Sequence, residues 1–149
     1  AVALTSGDGD DTMSLPTRAA GDDVRQIATI RNKDVFVRWG ESVEPSVVLS
    51  EERIGHIMER HPGAFERYGA YATDAIEAPD YILEDAKNAD TAAFIRHVEN
   101  TNINVVVKLA IKGNDAGMKS SVITLYPMND KRLRRMMKKA IVLYKRGDI

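Results

Sequence analysis

An α+β fold is what this sequence predicts, with N-terminal helices packed on a four- to five-stranded antiparallel sheet. Three observations carry the prediction. Two helical segments come early and end at proline-containing breaks. Four short runs rich in β-branched and aromatic residues follow, joined by polar turns short enough for hairpins. An amphipathic helix comes near the end. Helices followed by an antiparallel meander define α+β.

Residues 1–24 read as a flexible acidic tail or linker. Ser6-Gly-Asp-Gly-Asp-Asp11 and Gly21-Asp-Asp23 hold too few large apolar groups to offset the entropy of ordering. The domain is then 25–149. Asp34-Val-Phe-Val-Arg38 alternates apolar and charged residues and ends at Gly40, which predicts a strand. Val47-Val-Leu49 leads to Ser50, a favourable N-cap, and Glu51 and Glu52 suit the positive end of a helix dipole. That helix must stop at His61, because Pro62-Gly63 breaks it. Ala64 to about Glu77 predicts a second helix, ended by Ala78-Pro79. Tyr81–Glu84, Ala92–Glu99, Ile103–Ile111 and Ser121–Tyr126 then predict strands. Asn129-Asp130 caps a last helix whose Leu133, Met136, Met137 and Ala140 recur at i, i+3, i+4 and i+7. Ile141–Tyr144 predicts a closing strand. There is no internal repeat.

With 149 residues, 44% hydrophobic and 29% charged, the chain suits one soluble globular domain with a real core. No apolar run approaches the roughly 20 residues needed to span a bilayer. The first ten residues lack the basic-then-apolar order of a secretory signal. The chain begins with Ala1, as a piece of a longer protein would. It holds no cysteine, which excludes disulfides and thiolate metal sites. The net charge of −1 conceals an asymmetry: residues 1–50 carry five basic and eight acidic side chains, and 51–149 carry sixteen and fourteen. Eight basic residues fall within 131–149. Such a concentration can follow a phosphate backbone.

The richest chemistry lies in Arg53-Ile-Gly-His-Ile-Met-Glu-Arg-His-Pro62, where two of the three histidines stand beside two arginines. Histidine exchanges a proton near neutral pH, and arginine holds phosphate charge permanently. His56 and His61 fall about 140° apart around a helix, so one faces the sheet and the other solvent or a loop. On the strands, period two puts Lys108 opposite the apolar set Ile103, Val105, Val107, Leu109 and Ile111. Phe94, Arg96 and Val98 share a face, as do Val122, Thr124 and Tyr126. With aligned register, Arg96, Lys108, Thr124 and Tyr126 converge on one sheet surface. That set suits RNA cleavage, in which the 2′-hydroxyl attacks the adjacent phosphorus. A base takes its proton, an acid protonates the leaving 5′-oxygen, and a cation steadies the phosphorane. DNA is inert by this route.

Each feature has a plain structural alternative. His61 suits a cap on the last carbonyls before Pro62, His56 a solvated face, the strand set a polar outer sheet face, and the basic helix an ordinary surface helix. No cofactor or metal is implied: the His-Glu-x-x-His spacing, a phosphate loop, a dinucleotide fingerprint and a nucleophile elbow are all missing from the sequence.

Val48-Leu-Ser-Glu-Glu-Arg-Ile-Gly-His-Ile-Met-Glu-Arg-His-Pro62 resembles the opening of the phage-associated barnase–EndoU–colicin–RelE-like nuclease domains. So does the order of Ile76-Glu-Ala-Pro-Asp-Tyr-Ile82, Lys87-Asn-Ala-Asp-Thr91, Val105-Val-Val-Lys108 and Ser121-Val-Ile-Thr-Leu-Tyr-Pro127. The resemblance covers about residues 47 to 145. It implies a metal-independent ribonuclease, used as the C-terminal toxin module of a phage or polymorphic-toxin protein. Such a module is expected to act in the cytoplasm on RNA, with tRNA the favoured substrate, and to be held in check by a cognate immunity protein. The matching positions are His56, His61, Lys108, Thr124 and Tyr126, with Arg96 sensitive to a one-residue shift against His97. Arg60, Lys131, Arg132, Arg134, Arg135, Lys138 and Lys139 are the candidates for holding the RNA backbone. The alternative from another class is a non-enzymatic domain that binds nucleic acid or protein on the same fold.

Overall fold

A computed structural model describes residues 23–113 and 117–147. The tail expected at 1–24 lies almost wholly outside them. The chain runs β1 (Val24–Thr29), α1 (Lys33–Trp39), β2 (Ser46–Ser50), α2 (Glu51–Arg60), α3 (Ala64–Tyr68), a 3-10 turn (Gly69–Tyr71), α4 (Ala72–Glu77), β3 (Tyr81–Glu84), β4 (Thr91–Val98), β5 (Thr101–Lys108), β6 (Ser120–Met128), α5 (Asp130–Lys139) and β7 (Ile141–Lys145). Among the described residues no helix is long and apolar enough to cross a membrane.

The α+β class stands, but the sheet is larger than four or five strands. Seven strands lie in the order β1-β2-β6-β5-β4-β3-β7. The expected meander β3-β4-β5-β6 is its antiparallel centre, and the expected closing strand β7 pairs with β3. The helices expected over 51–61 and 64–77 do not come first, because β1, α1 and β2 precede them. The sheet is also not purely antiparallel: β2 joins β6 in parallel, at Val47–Ser120 and Val48–Ser121.

Asp34–Arg38, expected as a strand, is a helix. Asn32 Oδ1 accepts from the Asp34 amide, and Gly40 closes the far end with φ 97°. Val35, Phe36 and Trp39 then face the core at helical spacing. The expected single helix over 64–77 is two short helices joined by the 3-10 turn.

Both faces of the sheet carry packed residues. On one, Phe94, Ile103, Val105, Val107 and Leu125 pack with Val35 of α1, Ile57 of α2 and Ala75 and Ile76 of α4. On the other, Leu83, Ala93, Ile95 and Met128 pack beneath Leu133 of α5. Register assigns the faces. Arg96 pairs with Ile103 and so belongs to the first face, apart from Lys108, Thr124 and Tyr126. Its guanidinium donates to the Ala78 carbonyl at 2.6 Å. An irregularity at Val106/Val107 flips Val122 into the first core while Thr124 and Tyr126 stay on the second face.

The helix that carries His61 is set by its start. Ser50 Oγ accepts from the Arg53 amide at 3.1 Å, and Ile57 is buried at mid-helix. Ser50→Ala removes that cap and is expected to cost about 1 kcal/mol in urea unfolding.

Candidate active site

α2 follows β2 without a break, and β2 pairs with β6 only at its start. α2 packs against β6 as well as β2, which brings its C-terminus to the Tyr126 end of the strand. The His61 amide donates to the Ile57 carbonyl at 2.8 Å, so His61 is the cap residue of α2 as expected. Its ring, however, stacks on Tyr126, with centroids 4.6 Å apart and planes 22° from parallel. The Arg132 guanidinium lies over the same Tyr126 ring at 4.9 Å. Arg132 stands in the first turn of α5, where Asn129 Oδ1 accepts from its amide at 2.8 Å. Three separately anchored elements thus bring together an imidazole, a phenol and a guanidinium.

The His61 imidazole is held below its usual pKa. Burial is the larger cause, and Arg132 and then Arg60 add repulsion against an imidazolium. The shift favours the uncharged imidazole over the imidazolium, beside permanent cations.

A cleft of about 530 Å³ opens beside this cluster, between α5 and the second sheet face. Tyr126 and Arg132 line it, as do Glu84 at the end of β3 and the loop residues Asp85, Ala86 and Lys87. Arg135, Met136, Lys139 and Ala140 line it from the helix, and Asn104, Val106, Ala93 and Leu83 from the sheet. Burial raises the Asp85 carboxyl in that loop. Hydrogen bonds from the Asn88 side chain and the Lys87 and Asn88 amides outweigh it and leave the group below the usual range.

The structure divides the residues picked out from sequence. His61 and Tyr126 touch, and Thr124 shares their sheet face, opposite Val106 on β5. Arg132, Arg135 and Lys139 line the cleft. Lys131, Arg134 and Lys138 are exposed on the same helix without lining it, and Arg60 is exposed at the end of α2. His56 is exposed on α2 and does not join the His61 stack. Lys108 shares the cleft's sheet face, but its Nζ donates to the Ala89 carbonyl at 2.9 Å and ties down the 85–90 turn. Arg96 is on the opposite face, as its pairing with Ile103 requires.

Two residues, Asn102 and Asn104, escaped the sequence reading. Asn102 Nδ2 donates to the Met128 carbonyl at 3.1 Å and to Asp130 Oδ1 at 2.8 Å. Its Oδ1 therefore faces His97, 3.1 Å from Nδ1. That oxygen can only accept, so His97 donates from Nδ1, and the chain of bonds fixes the start of α5 over β5. Asn104 is the second, wholly buried on the cleft side of β5. The available signal was two asparagines at alternate positions of an otherwise apolar strand.

Among the described residues no three His, Asp or Glu side chains are grouped as a metal site would require. No curated protein and no solved structure matches the chain significantly. The family model for the phage-Barnase-EndoU-ColicinE5/D-RelE like nuclease3 matches residues 25–135, which include His61, Tyr126 and Arg132. With most of the chain matched, including the helix, strand and second helix that build this cluster, the protein belongs to that phage-associated nuclease family.

Proposed function

We propose that this domain is a metal-independent ribonuclease that cleaves by attack of the 2′-hydroxyl on the adjacent phosphorus. The observation that carries the reading is the His61 ring stacked on Tyr126 with Arg132 over the same ring, in a setting that disfavours the imidazolium. His61 takes the 2′-hydroxyl proton as the O2′–P bond forms. Arg132 and Arg60 balance the charge that builds on the phosphoryl oxygens. The P–O5′ bond then breaks, and the Tyr126 hydroxyl gives its proton to the leaving oxygen and regains one from solvent. The products are a 2′,3′-cyclic phosphate and a 5′-hydroxyl. Thr124 assists from the same face, and Arg135 and Lys139 hold neighbouring phosphates along the cleft.

The proposed setting is a toxin or phage effector module acting on cytoplasmic RNA, with tRNA as the first substrate to try. A cognate immunity protein would act by covering the cleft. Incubating total tRNA with the protein in EDTA, beside His61→Ala, tests the reading. Discrete fragments from the wild type alone support it. Intact RNA in both lanes, with RNA still bound, would mark a binding module. Arg135→Ala is expected to weaken single-stranded RNA binding and to reduce the slope of log K against log salt by about 0.7, measured by fluorescence titration. An unchanged slope would remove Arg135 from the phosphate path.

A further inference from the structure

Asn104 is the one cleft residue that the fold does not explain. It is 0% exposed, and neither its Oδ1 nor its Nδ2 has a hydrogen-bond partner among the described residues. It pairs with Ile95 on one side and Tyr126 on the other. A valine there would suit a central strand better and would leave no polar atom unpaired. A buried amide without partners calls for an account, and its place on a ligand-sized cleft supplies one.

We propose that the cleft is a base-recognition subsite, in which a single unstacked nucleobase enters between α5 and the sheet, displaces the side chains that close over Asn104, and pairs with its amide. The amide presents a donor and an acceptor side by side, and every nucleobase edge carries the complementary pair in some order and position. Leu83, Ala93, Val106 and Met136 give the cleft apolar walls for the ring faces. Arg135 and Lys139 on α5 supply charge for the flanking phosphates. The lining strands run from β6 through β5 and β4 to β3, three spacings or about 14 Å, enough for one base and its sugar. Asn104 is the direct cross-strand neighbour of Tyr126, so the recognised base adjoins the phosphate held at His61. The inference rests on the reading that the substrate is RNA, and it names how that RNA is selected.

The test needs no catalysis. The four ribonucleoside 3′-monophosphates, of adenosine, guanosine, cytidine and uridine, are titrated separately into the whole chain by calorimetry. One is expected to bind about tenfold more tightly than the weakest. Asn104→Leu is expected to reduce that ratio below about threefold and to raise the melting temperature, because an unpaired buried amide is gone. In the wild type the Asn104 side-chain amide resonance is expected to shift on adding the preferred nucleotide, a reading that depends on no variant. Equal binding of all four, binding of none, or an unmoved amide resonance would overturn the subsite. Selective binding by a chain that leaves RNA uncut would keep the subsite and remove the cleavage chemistry. Cleavage by a chain without selectivity would do the reverse.

Discussion

His61→Ala is expected to lower RNA cleavage by about 10²- to 10⁴-fold, the range for losing a positioned general base. Its cost to stability is small, about 1 kcal/mol, because only a half-buried ring stack on Tyr126 is lost. Circular dichroism and a melting curve on the same sample separate the two effects. The pH profile carries a further expectation. A protonated His61 cannot accept the 2′-hydroxyl proton, so activity falls as pH drops through the imidazole pKa. Burial, Arg132 and Arg60 hold that value down. The acid limb of kcat/KM, which reports the free enzyme, should therefore lie below the ordinary imidazole value of about 6.5. A limb above that value would mean that another group is the base.

Arg132→Ala is expected to cost about 10²- to 10³-fold in cleavage, as removal of a pre-placed charge at the developing phosphorane does. Arg132 also repels the imidazolium of His61, so its removal lets the imidazole pKa rise. The acid limb should then move to higher pH. An unmoved limb would mean that Arg132 does not act on His61 through its charge. Arg132→Lys keeps a cation but loses the planar fork, and should restore the position of the limb better than it restores the rate. Arg132 also stands in the first turn of α5, where the helix dipole disfavours a cation. The fold accepts that small cost at the position that faces Tyr126.

What was legible in the sequence was local. Ser50 and Pro62 bracket α2 because capping oxygens and proline act on neighbouring backbone, and the structure ends that helix at His61. The period-two runs became β3 to β6 because alternate burial is written in adjacent residues. Phe94, Arg96 and Val98 do share a face, but whether that face meets Tyr126 depends on pairing with β5. Asp34–Arg38 failed because five residues that alternate also fit one helical turn, and the Asn32 cap and buried Val35 decided for the helix. β1 went unread because Val24, Arg25 and Gln26 are exposed on an edge strand, with only Ala28 buried. The β2–β6 pairing joins residues more than seventy positions apart, and no local pattern encodes it. The same distance in sequence hid the site. His61, Tyr126 and Arg132 were each singled out, but their meeting depends on where α2 ends beside β6 and where α5 starts.

In the proposed reaction His61 drives a 2′-hydroxyl attack at the phosphate beside Tyr126. Its most direct test is mass spectrometry of the fragments from one synthetic RNA, run beside the same strand with a single 2′-deoxy sugar at the cut site. A 2′,3′-cyclic phosphate and a 5′-hydroxyl are expected at the cut, formed in EDTA, with no cut at that position in the deoxy strand. A 5′-phosphate product, or cleavage of the deoxy strand at the same position, would contradict it.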